Sequence, residues 1–207
     1  MSQWIVEGPE NGPLFVFAHG AGAGMEHDFM TVVAKGLVEQ GIRVVRFNFP
    51  YMVKRSEDGK KRPPDRAPKL LEAYSEVIAH FASSPVVIGG KSMGGRMASL
   101  LAEHELVASI ACLGFPFHPP GKPEKFKGDH LASIDKPTLI LQGERDTFGK
   151  REEFDGFVFS QQVKVSFLPD GDHSFKPRKS SGHTAADNIA LAVEQLSAFI
   201  NEVYSEK

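Results

Sequence analysis

The residues best able to do chemistry gather around one serine. Gly90-Lys91-Ser92-Met93-Gly94 follows the apolar run Val86-Val87-Ile88 and precedes Gly95-Arg96-Met97-Ala98-Ser99-Leu100-Leu101. A glycine-flanked serine between a strand and a helix is the pattern of a nucleophile elbow. So sharp a turn forces the serine into strained backbone geometry, and Gly90 and Gly94 are small enough to let the two segments pass closely. By itself a G-x-S-x-G match is unspecific. The strand before it and the helix after it make it informative.

A serine hydroxyl is almost wholly protonated near neutral pH, so it needs a base to take its proton and a third group to orient the base. After Thr138-Leu139-Ile140-Leu141 comes Gln142-Gly143-Glu144-Arg145-Asp146, which puts Asp146 in a loop beyond a strand end. Leu168-Pro169-Asp170-Gly171-Asp172-His173-Ser174-Phe175 presents His173 in a similar place. Ligand sites of open α/β sheets gather at that edge, and the order Ser92, Asp146, His173 suits a Ser-Asp-His triad. Glu144 and Asp135 are competing acids, and His118, His130 and His183 competing bases. Asp172 adjoins His173 and is read as a turn residue.

A carbonyl under attack develops negative charge, which fixed backbone N–H groups stabilise with little reorganisation. Met93, next after the serine, is expected to supply one donor. The other is expected in His19-Gly20-Ala21-Gly22-Ala23-Gly24, behind the apolar run Leu14 to Ala18, with Ala21 preferred over Gly22. His19 is read as a brace for this loop. Phe115, Phe117 and His118 are candidates, with Gly22, for a substrate pocket, loop packing around prolines being the equal alternative. Lys54, Arg55, Lys60, Lys61, Arg62 and Arg66 read as a solvated basic face; if they attract an acidic substrate instead, Lys91 would contribute.

These residues need a scaffold that brings distant loops together. Leu14 to Ala18, Val44 to Phe49, Val86 to Ile88, Ser109 to Leu113 and Thr138 to Leu141 read as buried strands, with a sixth around Val163 to Leu168. Between them, Phe29, Val32, Val33 and Leu37, then Leu70, Leu71, Tyr74, Val77, Ile78 and Phe81, have helical spacing, as do Ile189, Val193, Leu196 and Ile200 in a final helix over 185–203. The alternation predicts an α/β fold with a mostly parallel sheet of about six or seven strands and helices on both faces. Tyr51 to Pro68 and Phe115 to Lys127, rich in proline, read as loops. About twenty residues separate Leu113 from Asp135, too few for a large cap. One domain is expected over residues 1–207.

Composition narrows the function classes. With 207 residues, 41% hydrophobic and 24% charged, the chain is in the ordinary globular range. A net charge of −2 supplies no basic field for nucleic acid, which is not expected as a partner. No run is apolar for long enough to span a bilayer and no basic leader opens the chain, so no membrane partner and a cytoplasmic location are expected. The lone Cys112 excludes an internal disulfide and reads as buried packing. Gly90-Lys91-Ser92 would end a phosphate-binding loop only with glycine at position 85, where Pro85 stands. The glycines at 20, 22 and 24 fail as a dinucleotide loop, because Met25 holds the third-glycine position. No histidine and cysteine set has metal spacing, so neither metal nor cofactor is called for. The residues specify no oligomeric state.

Five segments carry a family resemblance: His19-Gly20-Ala21-Gly22, Arg46-Phe47-Asn48-Phe49-Pro50, Gly90 to Gly95, Gln142 to Asp146 and Gly171-Asp172-His173-Ser174-Phe175. Together they resemble the small α/β-hydrolases related to dienelactone hydrolase. Phe115-Pro116-Phe117-His118-Pro119-Pro120-Gly121-Lys122-Pro123 is further similar to a segment of the predicted hydrolases named for the testis-expressed hydrolase-like protein. The resemblance implies an α/β-hydrolase fold. Dienelactone hydrolase carries cysteine at the elbow where this chain has Ser92, which argues against dienelactone as substrate. The expected activity is a serine hydrolase acting on a small-molecule ester-like substrate, a carboxylester or thioester. The alternative is a noncatalytic binding protein on the same scaffold.

Overall fold

Apolar side chains alternating with period two build the centre of the molecule. A computed structural model describes residues 4–205. Its strands are β1 (Trp4–Glu7), β2 (Leu14–Ala18), β3 (Arg43–Phe47), β4 (Val86–Lys91), β5 (Val107–Leu113), β6 (Thr138–Gly143) and β7 (Val163–Leu168). In β2, Phe15 and Phe17 join the core on one face of the sheet while Val16 and Ala18 join the core on the other. Every residue of β4 is buried, as a strand covered on both faces requires.

The strands form one seven-stranded sheet in the order β1-β3-β2-β4-β5-β6-β7. β1 runs antiparallel to β3, and the remaining neighbours pair parallel. β1 was not anticipated from the sequence. It is a four-residue edge strand whose pattern, partly buried with Val6 exposed, lacks the apolar run that marks the central strands. At the opposite edge β7 pairs only with β6.

Two helices cover each face. Helix α1 (Asp28–Glu39) buries Met30, Val33, Ala34 and Leu37, the i, i+3, i+4, i+7 stripe of an amphipathic helix. The imidazole of His27 caps it by accepting the Phe29 N–H at 3.3 Å. With the long C-terminal helix α5 (residues 185–205), which buries Ala192, Val193, Leu196 and Ile200, α1 covers the Phe15 and Phe17 side. On the other side, α3 (Ala67–Phe81) buries Leu70, Tyr74, Val77 and Ile78, and α4 (Met93–Ser99) buries Met97 and Ala98. Cys112 lies in this core at 0% exposure, where burial pushes its thiol well up.

The segment expected to be a loop from Tyr51 to Pro68 opens instead as helix α2 (Pro50–Asp58). Its charged residues concealed the helix, but Pro50 occupies the first turn, where a missing N–H costs nothing, and Gly59 ends it in the left-handed region at φ +69°. Residues 59–66 are irregular, and α3 begins at Ala67. Between β5 and β6 the chain is irregular except for a 3-10 turn at Asp129–Ala132, so no large cap covers the sheet from there. Among the described residues no helix is long and apolar enough to cross a membrane.

Candidate active site

Because the strands are parallel, the loops after β2, β4, β6 and β7 all emerge at one edge of the sheet. Ser92 follows the last residue of β4 with φ +51° and ψ −118°, a conformation that costs a non-glycine residue about 1–3 kcal/mol. The surroundings enforce it. A Cβ at Gly94 would lie 2.5 Å from the carbonyl oxygens of both Ala18 and His19, and one at Gly90 would lie 2.6 Å from Gly95 N. The Ser92 N–H is held by Leu113 O at 2.9 Å, and the Ser92 carbonyl accepts Arg96 N–H at 3.0 Å to start α4.

Ser92 Oγ lies 2.8 Å from His173 Nε2, and His173 Nδ1 lies 2.8 Å from Asp146 Oδ2. The carboxylate accepts, so Nδ1 carries the proton and Nε2 is left with the lone pair that faces the serine hydroxyl. Asp146 is fully buried. Its Oδ1 accepts the Phe148 N–H at 2.9 Å, and its Oδ2 also accepts from Gln142 Nε2 at 3.1 Å. Gln142 is fixed in turn, because its Oε1 accepts the Phe115 N–H at 2.8 Å. The histidine loop is shaped by Asp172, whose Oδ1 accepts from Ser174 N and Lys176 N, and by Phe175 in the left-handed region at φ +65°. The Phe148 ring stacks on the His173 ring with centroids 4.2 Å apart.

The competing acids and bases lie elsewhere. Glu144 pairs with Arg151 and accepts the Asp170 N–H; Asp135 and His183 are exposed. His130 Nε2 meets Ser99 Oγ at 2.8 Å, and His118 pairs with Glu153 at 2.7 Å.

The loop after β2 is clamped from behind. His19, fully buried, accepts the Phe49 N–H at Nε2 and donates from Nδ1 to Gly20 O. Burial pushes its pKa down to about 4, so it stays neutral and works as a brace. The Tyr51 hydroxyl, reached through α2, donates to Ala21 O at 2.9 Å and lies 3.3 Å from Gly20 O. Arg55 donates to Gly22 O. These pinned carbonyls set the amides. In a trans peptide the N–H points opposite to the preceding C=O, so the Ala21 and Gly22 N–H groups turn away from His19 and Tyr51. By the same rule the Met93 N–H points out of the start of α4.

Ser92 and His173 open into a cavity of about 300 Å³, lined also by Ala21, Gly22, His27, Phe29, Met30, Lys91 and Phe148. A larger groove of about 630 Å³ between α1 and α5 is lined by Val32, Ile189 and Val193 among others and contains neither serine nor histidine. Two of the expected pocket aromatics belong elsewhere. Phe115 and Phe117 are fully buried in the core, Phe117 being ringed by Phe126, Phe154 and Phe157, and His118 is turned to Glu153. The cavity takes its aromatic walls from Phe148 and Phe29 instead. Phe148 had one signal in the sequence, its place two residues past Asp146 in the same loop. Among the described residues no group of three histidine, cysteine or acidic side chains could hold a metal ion.

The architecture is shared with solved structures. Est1E from Butyrivibrio proteoclasticus, with ferulic acid bound, superposes with a TM-score of 0.70 over 98% of this chain and 95% of its own at 20% identity. An alpha-beta serine hydrolase homologue from Coxiella burnetii gives 0.69 over 94% and 89% at 21% identity. XC6422 from Xanthomonas campestris, described as an a/b serine hydrolase without lid, gives 0.67 over 93% and 86% at 20% identity. At such identities the likeness is one of fold. Residues 11–201 match the family model of the alpha/beta hydrolase domain, and the chain therefore belongs to that family.

Proposed function

We propose that the protein is a serine hydrolase that cleaves a small ester-like substrate, a carboxylester or thioester, through an acyl-enzyme. The observation that carries this reading is the continuous hydrogen-bonded line from Ser92 through His173 to the buried Asp146, with Ser92 and His173 lining a cavity. Similarity in fold to serine hydrolases, and to Est1E with its bound carboxylic acid, supports it.

Ser92 Oγ attacks the acyl carbonyl while His173 Nε2 takes its proton, and Asp146 stabilises the imidazolium that forms. The amides of Met93 and Ala21 receive the oxyanion, with Gly22 as the neighbouring donor. His173 returns the proton to the leaving alcohol or thiol. Water, deprotonated by the same imidazole, then releases the acid and restores Ser92.

A fluorophosphonate probe is expected to label the folded protein, with the adduct mass found on the peptide containing Ser92. Absence of an adduct on folded protein would exclude the mechanism. Tyr51→Phe removes the hydroxyl that pins Ala21 O, so the donor loop loosens without losing a donor. Its kcat should fall about 10-fold, less than the 10²–10³ of losing an oxyanion donor outright, with KM nearly unchanged. Steady-state kinetics on p-nitrophenyl acetate would read both, and an unaltered kcat would remove Tyr51 from the account.

A further inference from the structure

Lysine is among the residues least often buried unless paired, yet Lys91, the last residue of β4, is only 8% exposed and sits beside the nucleophile. Its ammonium lies 5.2 Å from the centre of the Phe29 ring and 5.9 Å from that of Phe175, and it donates to the main-chain carbonyl of His173. To get there the side chain crosses the end of β5 at Gly114. That residue has φ +67°, and a Cβ there would come within 2.7 Å of Nζ. The bare glycine opens the path from the serine's strand to the histidine's loop.

We propose that Lys91 is a positioning residue of the triad: its ammonium holds the His173 carbonyl in place and supplies the positive charge that offsets the buried Asp146. The proposal rests on the hydrolase reading above. A buried carboxylate without an opposing charge is costly. With Lys91 charged, Asp146 has an opposing charge at rest, and the oxyanion and imidazolium added in the tetrahedral intermediate cancel each other. Without it the site is negative at both stages, and the oxyanion forms against an uncompensated charge.

Burial lowers the Lys91 pKa to about 8, against the opposing pull of Asp146 and Asp172. The other titratable groups facing this space are His173 and, across the cavity, His27. Between about 8 and its ordinary value near 10.5 the unfolded chain holds the proton that the folded chain has lost, so the ammonium opposes folding at neutral pH.

The test uses the full chain and its Lys91→Met and Lys91→Arg variants, with p-nitrophenyl acetate hydrolysis from pH 6 to 10 and proton NMR of the His173 Nδ1–H without substrate. Lys91→Met should lose about 10- to 100-fold in kcat/KM, lack the descending limb near pH 8 and shift the NMR signal. Lys91→Arg, which stays charged, should carry the limb to higher pH. Wild-type kcat/KM, limb and resonance in folded Lys91→Met would overturn the proposal; should that variant not fold, an unmoved limb in Lys91→Arg would do so. If the wild type hydrolyses nothing and takes no fluorophosphonate, the hydrolase reading fails. The NMR signal then decides on the tether alone.

Discussion

Ser92→Ala is expected to lower turnover of an acyl ester by about 10⁴-fold or more while the protein stays folded. Alanine keeps the Cβ and so keeps the φ of +51° that Gly90 and Gly94 enforce. It loses only the hydroxyl and its hydrogen bond to His173, worth about 0.5–1.5 kcal/mol. Ser92→Gly separates chemistry from strain. It should be as inactive as the alanine variant but more stable than it by about 1 kcal/mol, because glycine accepts positive φ without penalty. Kinetics and urea denaturation of the two variants read both quantities. Turnover surviving in Ser92→Ala would remove the nucleophile, and equal stability of the pair would mean that the elbow stores no strain.

Asp146→Asn should be nearly as damaging, about 10⁴-fold in kcat, through hydrogen-bond bookkeeping more than charge alone. Phe148 N–H needs an acceptor at one position of the carboxylate, and at the other both Gln142 Nε2 and His173 Nδ1 now donate. An asparagine that keeps the Phe148 bond must point its NH₂ at the other two. Gln142 cannot turn over, since its oxygen already accepts the Phe115 N–H. His173 must then accept at Nδ1 and carry its proton at Nε2, facing Ser92 with no lone pair. One buried donor is also left unmatched, at a cost of about 1–3 kcal/mol. Nitrogen-15 NMR of the ring would report the exchanged tautomer, and an unchanged tautomer with full activity would contradict this reasoning.

Ser92, Asp146 and His173 could be picked out of the chain because each stands at the end of an apolar run, where a local pattern carries its own position. The groups that hold them are different in kind. Gln142, Lys91 and Tyr51 act across 4, 82 and 30 residues of chain through bonds to Asp146, His173 and Ala21, and no periodicity foretells such partners. Phe115 and Phe117 show the opposite error. Among prolines, aromatic rings looked like the lining of a pocket, but an irregular segment has no alternation to say which way its side chains turn, and these two turn inward. Strand β1 and helix α2 escaped for related reasons, the first being short and half-exposed, the second hiding an ordinary proline-started helix under charges.

The position of β7 at the border of the sheet has a further consequence. Amide hydrogens of border strands generally exchange through smaller local openings than those of central strands such as β4. His173 hangs from the border and Ser92 from the centre. Gentle warming can thus release His173 while Ser92 stays in place, and the proposed hydrolytic activity would fade at a lower temperature than the cooperative melting of the sheet.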